Sequence, residues 1–288
     1  MGDDAAELDA VLPETDWTAL PDGTVASRFA APSGELAVIS LGDPANPRVV
    51  LAPGVTGSKE DFVLIMPPLA DAGYFVQALD LAGQYESGTA GPPRGGRYGY
   101  ELFVDDMVAF LEAGPTPVHL LGYSFAGTVA QLVAVQRPEL VASLTLLATP
   151  PDVGNGFAHM KRLGPLSRLL GARAGAFFMV AGIRLNATKV DPSRLRFVRS
   201  RFALTNRRSV DDIIDLMFHV PDVEPRLHAL SIPKLVATGM HDLWPWERAR
   251  AQADRIGARF AVYDTGHSPS ETAPHQLTRD LLALYAMA

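Results

Sequence analysis

The stretch Val118-His119-Leu120-Leu121-Gly122-Tyr123-Ser124-Phe125-Ala126-Gly127-Thr128-Val129-Ala130-Gln131 decides how this chain is read. A short apolar run ends at Gly122-Tyr123-Ser124, and helical spacing starts at once with Phe125, continuing until Arg137-Pro138 stops it. A buried strand turning directly into a helix around serine is the setting of a nucleophile elbow, where the serine occupies a strained turn. Gly122 and Ala126, two residues before and two after Ser124, are small enough for strand and helix to approach. The helix N-terminus behind Ser124 favours negative charge, so it would support an alkoxide and a tetrahedral oxyanion. A turn of Gly and Ser also joins strand to helix in proteins without this chemistry. The partner residues decide the matter.

Outward from this stretch, short β-branched runs alternate with helical periodicity. Strands are predicted at residues 25–30 and 35–41, around the turn Pro32-Ser33-Gly34, and at 48–52, 74–79, 118–121, 144–147, 234–238 and 259–263. Helices are predicted over 59–72, 100–111, 125–136, 246–256 and 274–285, the first of them kinked at Pro67-Pro68. Between residues 150 and 230 the strands cease, and helical spacing recurs at 157–170, 172–185, 192–204 and 210–219. Strands alternating with helices imply crossover connections and a parallel sheet covered on both faces. The expected architecture is α/β, a mostly parallel eight-stranded sheet. Its core comes in two parts, 1–150 and 232–288, with a helical cap over 151–231 inserted after the sixth strand.

Composition narrows the function classes. With 288 residues, 48% hydrophobic and 20% charged, the chain can bury a large core and is not intrinsically disordered. Its 25 Gly and 23 Pro show no period. A net charge of −7 argues against nucleic acid as a partner. That total is uneven: residues 152–230 hold 13 basic and 7 acidic residues, a local +6, and the remainder carries −13. There is no cysteine, hence no disulfide, thiolate metal site or cysteine nucleophile. The acidic start is unlike a signal peptide, Met1-Gly2 lacks the Ser or Thr at position 6 that myristoylation wants, and residues 174–183 are too short to span a bilayer. A cytoplasmic location without stable membrane insertion is expected.

Together with the segments downstream, the turn Gly122-Tyr123-Ser124-Phe125-Ala126-Gly127 resembles the α/β-hydrolase superfamily of serine hydrolases. The resemblance runs from about residue 25 to the C-terminus, and the 150–230 block falls where that family inserts its cap. Family members carry an acid after the strand that follows the cap, then a histidine after the last strand. Here strand 234–238 leads into Gly239-Met240-His241-Asp242, and strand 259–263 leads through Asp264 into Thr265-Gly266-His267. The order Ser124, Asp242, His267 is the one this fold uses. Asp152 is a second candidate acid, because some relatives keep theirs after the preceding strand. Of the other histidines, His119 reads as a packed core residue, His241 as structural and His275 as solvated.

An oxyanion hole needs two backbone donors, and the resemblance implies the N–H groups of Phe125 and Val55. Residues 52–58 look like the family's His-Gly-x-x-Gly loop with Pro53 in place of His, which leaves open how the loop is braced. Gly57-Ser58-Lys59 faintly echoes a phosphate loop, but its spacing is wrong; no cofactor or metal is implied. Gly54, Tyr123 and Trp244 are the candidate pocket residues. Trp246 is either a pocket wall or a helix anchor. Phe157, Met160, Leu163, Leu166, Phe177, Phe178 and Met179 offer the insertion's apolar lining.

The expected function is a serine hydrolase cleaving a small or medium apolar carboxylic ester or lactone through an acyl-enzyme. The same residues would serve carbon–carbon bond hydrolysis or cofactor-free perhydrolysis, and the same fold serves small-molecule receptors. A serine at 124 excludes chemistry that needs an aspartate nucleophile. The expected partner is a small-molecule substrate, with the chain a monomer or homodimer. The basic block reads first as a solvated face attracted to the acidic body, and second as a collector of anionic substrates or lipid headgroups.

Overall fold

The structure is a computed structural model that describes residues 4–159 and 192–288. Eight strands form one sheet: β1 Val25–Ala31, β2 Gly34–Leu41, β3 Arg48–Ala52, β4 Phe75–Leu79, β5 Val118–Tyr123, β6 Val141–Leu147, β7 Lys234–Gly239 and β8 Arg259–Tyr263. Their spatial order is β1-β2-β4-β3-β5-β6-β7-β8. β1 and β2 pair antiparallel, β2 pairs antiparallel with β4, and every later pairing is parallel. β3, β5 and β7 are buried along their whole length, which is why they read as apolar runs rather than alternations. β5, which ends at the candidate nucleophile, lies inside the sheet between β3 and β6.

The described helices are α1 Asp4–Asp9, α2 Met66–Asp71, α3 Tyr100–Glu112, α4 Phe125–Gln136, α5 Pro192–Leu204, α6 Arg207–Met217, α7 Glu224–Ala229, α8 Trp246–Ile256, α9 Pro269–Thr272 and α10 Pro274–Tyr285. Successive strand residues point to opposite faces, so each strand feeds two cores. Val50, Leu120, Leu144 and Val236 pack with α3, α4, α7 and α8, whereas Val49, Leu51, Leu121 and Leu235 pack with α2 and α10. Leu277, Leu281 and Leu284 of α10 are fully buried at helical spacing, each contributing roughly 1.5–3 kcal/mol of burial.

Several boundaries differ from the sequence reading for local reasons. Residues 59–72 form a 3₁₀ turn, Lys59–Phe62, and then α2, which starts at the prolines instead of being kinked by them. The first N–H groups of a helix have no intrahelical acceptor, so proline costs little there. α6 begins at Arg207 because the Asn206 side chain accepts the Arg208 N–H at 3.0 Å. α1 was not foreseen; its Asp9 carboxylate accepts the His275 and Gln276 N–H groups at 2.8 and 3.1 Å, capping α10, and also meets the His275 ring. His275 is therefore paired, not merely solvated. The expected helix at 172–185 and most of that at 157–170 lie outside the described residues, as do Met160, Leu163, Leu166, Phe177, Phe178 and Met179. Among the described residues no helix is long and apolar enough to cross a membrane.

Candidate active site

Ser124 sits between β5 and α4 with φ 52° and ψ −119°, a conformation that costs a non-glycine residue about 1–3 kcal/mol. The surroundings enforce it. Its N–H donates to the Leu147 carbonyl of β6 at 2.8 Å. At Gly122 a Cβ would collide with the Ala126 carbonyl, so glycine is required for strand and helix to meet.

His267 leaves the end of β8, and Asp242 leaves the end of β7. His267 Nδ1 lies 2.6 Å from Asp242 Oδ1, and His267 Nε2 lies 3.3 Å from Ser124 Oγ. Asp242 is 1% exposed. Its Oδ2 accepts the Thr238 hydroxyl at 2.6 Å, and its Oδ1 also accepts the Leu243 N–H. With the carboxylate acting as acceptor, the imidazole proton belongs on Nδ1, which leaves Nε2 as an acceptor toward Ser124 Oγ. Two aromatic rings bracket the imidazole: Tyr123 at 5.3 Å and Trp244 at 5.7 Å between centroids. Each ring is itself anchored, Tyr123 Oη to Ser268 Oγ at 3.0 Å and Trp244 Nε1 to the Gly156 carbonyl at 2.6 Å.

The other candidates fall elsewhere. Asp152 is bound by Arg248 Nε, at 3.0 Å from Oδ1 and 2.7 Å from Oδ2, and by His159 Nδ1 at 3.0 Å. Burial opposes its ionisation, but Arg248 outweighs it and holds the carboxyl below its usual range. His241 pairs with Asp264 on the surface, 2.9 Å away. His119 stacks on Tyr285 at 4.0 Å and meets Ser143 Oγ at 2.9 Å, and burial pushes its pKa down to about 4. Trp246 stacks on Phe260, which makes it a helix anchor. Phe157 is buried against Phe218, ring centroids 4.9 Å apart.

Gly54 presses on Ser124: a Cβ there would lie 2.8 Å from Ser124 Cβ. The Gly57 N–H donates to the Gly54 carbonyl at 3.0 Å and closes a turn over Val55 and Thr56. Among the described residues, neither the Val55 nor the Phe125 N–H donates to a protein acceptor. Phe125 is the first residue of α4, where an unmatched N–H is expected.

Pro53 leaves the loop without the family's histidine, and a residue the sequence reading passed over takes part instead. Gln84 Oε1 accepts the Thr56 N–H at 2.9 Å. A legible signal existed, a polar residue in the Gly83-containing loop after β4 at the carboxyl edge of the sheet. Asp61 is a second omission. It accepts the Ser58 N–H on Oδ2 at 3.1 Å, and on Oδ1 the Arg194 and Arg201 guanidiniums of α5. Arg194 also meets Glu271, four residues past His267. Two of the basic block's arginines are thus buried against core carboxylates, while Arg196, Arg199, Arg207 and Arg208 are exposed. Lys59 is buried with Glu60 at 2.7 Å, Glu86 at 3.1 Å and Asp80 at 3.4 Å, so its ammonium is committed to structure. Among the described residues there is no cluster of three or more His, Asp or Glu suited to a metal ion.

The class of protein that the sheet order and this site define is an α/β-hydrolase. A family profile described as alpha/beta hydrolase fold matches residues 47–188, and the chain belongs to that superfamily. It is 28% identical over 263 residues to "Putative carbamate hydrolase RutD" of Variovorax paradoxus (strain S110), covering 83% of this chain and 91% of that protein. Among solved structures it superposes on the enol-lactonase from Burkholderia xenovorans LB400 with a TM-score of 0.73 at 17% identity, over 91% of this chain and all of that one. The meta-cleavage product hydrolase from Pseudomonas fluorescens IP01 gives 0.70 at 17% identity, over 91% of this chain and 97% of the other. At such identities the likeness is one of fold.

Proposed function

We propose that this chain is a serine hydrolase that cleaves a small or medium apolar carboxylic ester or lactone through an acyl-enzyme. The observation that carries the reading is the unbroken contact from Asp242 through His267 to Ser124 Oγ, at 2.6 and 3.3 Å. His267 Nε2 takes the hydroxyl proton as Ser124 Oγ attacks the carbonyl carbon. Asp242 stabilises the imidazolium that forms. The N–H groups of Val55 and Phe125 receive the oxyanion. His267 then returns its proton to the leaving alkoxide, and a water activated by the same imidazole hydrolyses the acyl-enzyme. Gly54, Tyr123 and Trp244 border the reacting carbonyl.

Serine at 124 supports an acyl-enzyme over the carboxylate-ester intermediate that an aspartate nucleophile would form. The names of a carbamate hydrolase, an enol-lactonase and a meta-cleavage product hydrolase among its likenesses support hydrolysis as the reaction class. Labelling by a fluorophosphonate, with turnover of short p-nitrophenyl esters and lactones, tests the reading. Both are expected in the wild type and lost in Ser124→Ala. A folded wild type that neither labels nor turns over overturns it.

A further inference from the structure

Thr56 is β-branched and has φ 61°, a region such residues avoid. It occupies the third position of the four-residue turn Gly54–Gly57, and Val55 before it keeps a negative φ. That is the pattern of a type II turn, which normally places glycine at this position. Flipping the Val55–Thr56 peptide would give a type I turn, which most residues adopt without strain. One contact opposes the flip, the Thr56 N–H bonded to Gln84 Oε1 at 2.9 Å. The turn also aims its neighbour. A trans peptide sets C=O and N–H on opposite sides. With the Gly54 carbonyl held by Gly57, the Val55 N–H therefore faces away from the turn.

Gln84 is fully buried, and its orientation is dictated from the other side. Ser209 Oγ donates its proton to the Ala82 carbonyl at 3.2 Å, so toward Gln84 it accepts, from Nε2 at 2.5 Å. Ser209 lies in the first turn of α6, on the segment inserted between β6 and β7. The Asn206 N–H reaches the Gly83 carbonyl at 2.8 Å, and the Tyr85 N–H reaches Thr205 Oγ1 at 3.0 Å. The start of α6 and the loop carrying Gln84 are therefore bonded as one body. A second tether, from Arg194 and Arg201 to Asp61, holds the 3₁₀ turn Lys59–Phe62 that follows the Gly54–Gly57 turn.

We propose that Gln84 is a positioning residue for the oxyanion-binding backbone, and that the inserted helix α6 sets it through Ser209. This rests on the hydrolase reading, with Val55 as an oxyanion donor. Seating α6 holds the strained turn next to the donor; displacing α6 frees the Val55–Thr56 peptide to flip and loosens the turn that carries it. The start of α6 then influences kcat without touching the substrate.

The test compares Gln84→Met, Gln84→Glu and Ser209→Ala in the full chain, with p-nitrophenyl ester kinetics and amide exchange of the 53–60 loop. Gln84→Met loses the acceptor and is expected to lower kcat about 10–100-fold with KM within about twofold. Gln84→Glu keeps the acceptor and is expected to retain more activity than Gln84→Met. Ser209→Ala is expected to speed exchange at Thr56 about tenfold or more and to lower kcat less than Gln84→Met does. Adding Thr56→Gly, which suits the left-handed turn, is expected to restore most of the kcat lost in Gln84→Met. A general structural role would not give that rescue. An active wild type with unchanged kcat in Gln84→Met, or a loss that Thr56→Gly does not repair, overturns the positioning role alone. If Gln84→Met fails to fold, unchanged Thr56 exchange and kcat in Ser209→Ala overturn the proposal. A wild type that neither labels nor turns over overturns the hydrolase reading and this role with it.

Discussion

Replacing Gly54 by alanine adds one methyl group at the tightest point of the site. The new Cβ would stand 2.8 Å from Ser124 Cβ and 3.4 Å from both Ser124 Oγ and the Tyr123 carbonyl, where ordinary contact begins at 3.4 Å. Ser124 or the loop must therefore retreat by roughly half an ångström, about the tolerance of a productive catalytic geometry. Gly54 does not have a positive φ, so no backbone strain is added and the effect is purely steric. Overpacking of this kind costs about 1–3 kcal/mol of stability. A misplacement approaching 1 Å costs about 10² in rate, so kcat/KM is expected to fall about 10–100-fold. The control is Gly73→Ala, where φ is +89° and nothing lies within 4 Å of the added Cβ. That variant is expected to lose about 1 kcal/mol to backbone strain and to keep its rate. Ester kinetics and urea denaturation on both proteins provide the assay. Wild-type kcat/KM in Gly54→Ala, or an equal loss in Gly73→Ala, would refute the steric argument.

Asp242→Asn is expected to lower kcat about 10³–10⁴-fold, because the amide favours the wrong imidazole tautomer, whereas Asp152→Asn stays within a few-fold; comparable losses in the two would contradict the roles assigned here. Burial depresses the His119 pKa from 6.5 to about 4, so the unfolded chain binds the proton first as pH falls. The stability attributable to neutral His119 is complete above about pH 6.5 and is lost on descending toward pH 4, by up to about 3 kcal/mol. His119→Phe should flatten that part of the pH–stability curve, and equal losses in wild type and variant between pH 7 and 4.5 would show another group responsible. Leu281→Ala is expected to cost about 2–5 kcal/mol in chemical denaturation, since Leu281 is fully buried under the sheet; a cost under 1 kcal/mol would mean that α10 is not part of the cooperative core.

Much of the fold was legible because its signals are local. β3, α4, α8, β8 and α10 have the bounds that periodicity predicts. A boundary slipped where a capping side chain decides it, as Asn206 does for α6, which begins at Arg207 instead of residue 210. The resemblance pointed to Ser124, Asp242 and His267 because strand ends on one edge of a parallel sheet converge. It could not say that Asp152, an equally acidic loop residue, is spent on Arg248.

What the sequence by itself determined is the alternation of elements and the elbow around Ser124, which are properties of short windows, and the order of the three candidate residues, which needs only their succession along the chain. Only the tertiary structure decided what holds the 52–58 loop and which arginines of α5 are paired with carboxylates. The Gln84–Ser209 contact spans 125 residues and the Asp61–Arg201 contact 140. Nothing in a window of sequence distinguishes a buried, paired arginine such as Arg201 from an exposed one such as Arg199. The difference is which carboxylate the folded chain brings within reach once burial has made an unpaired charge costly.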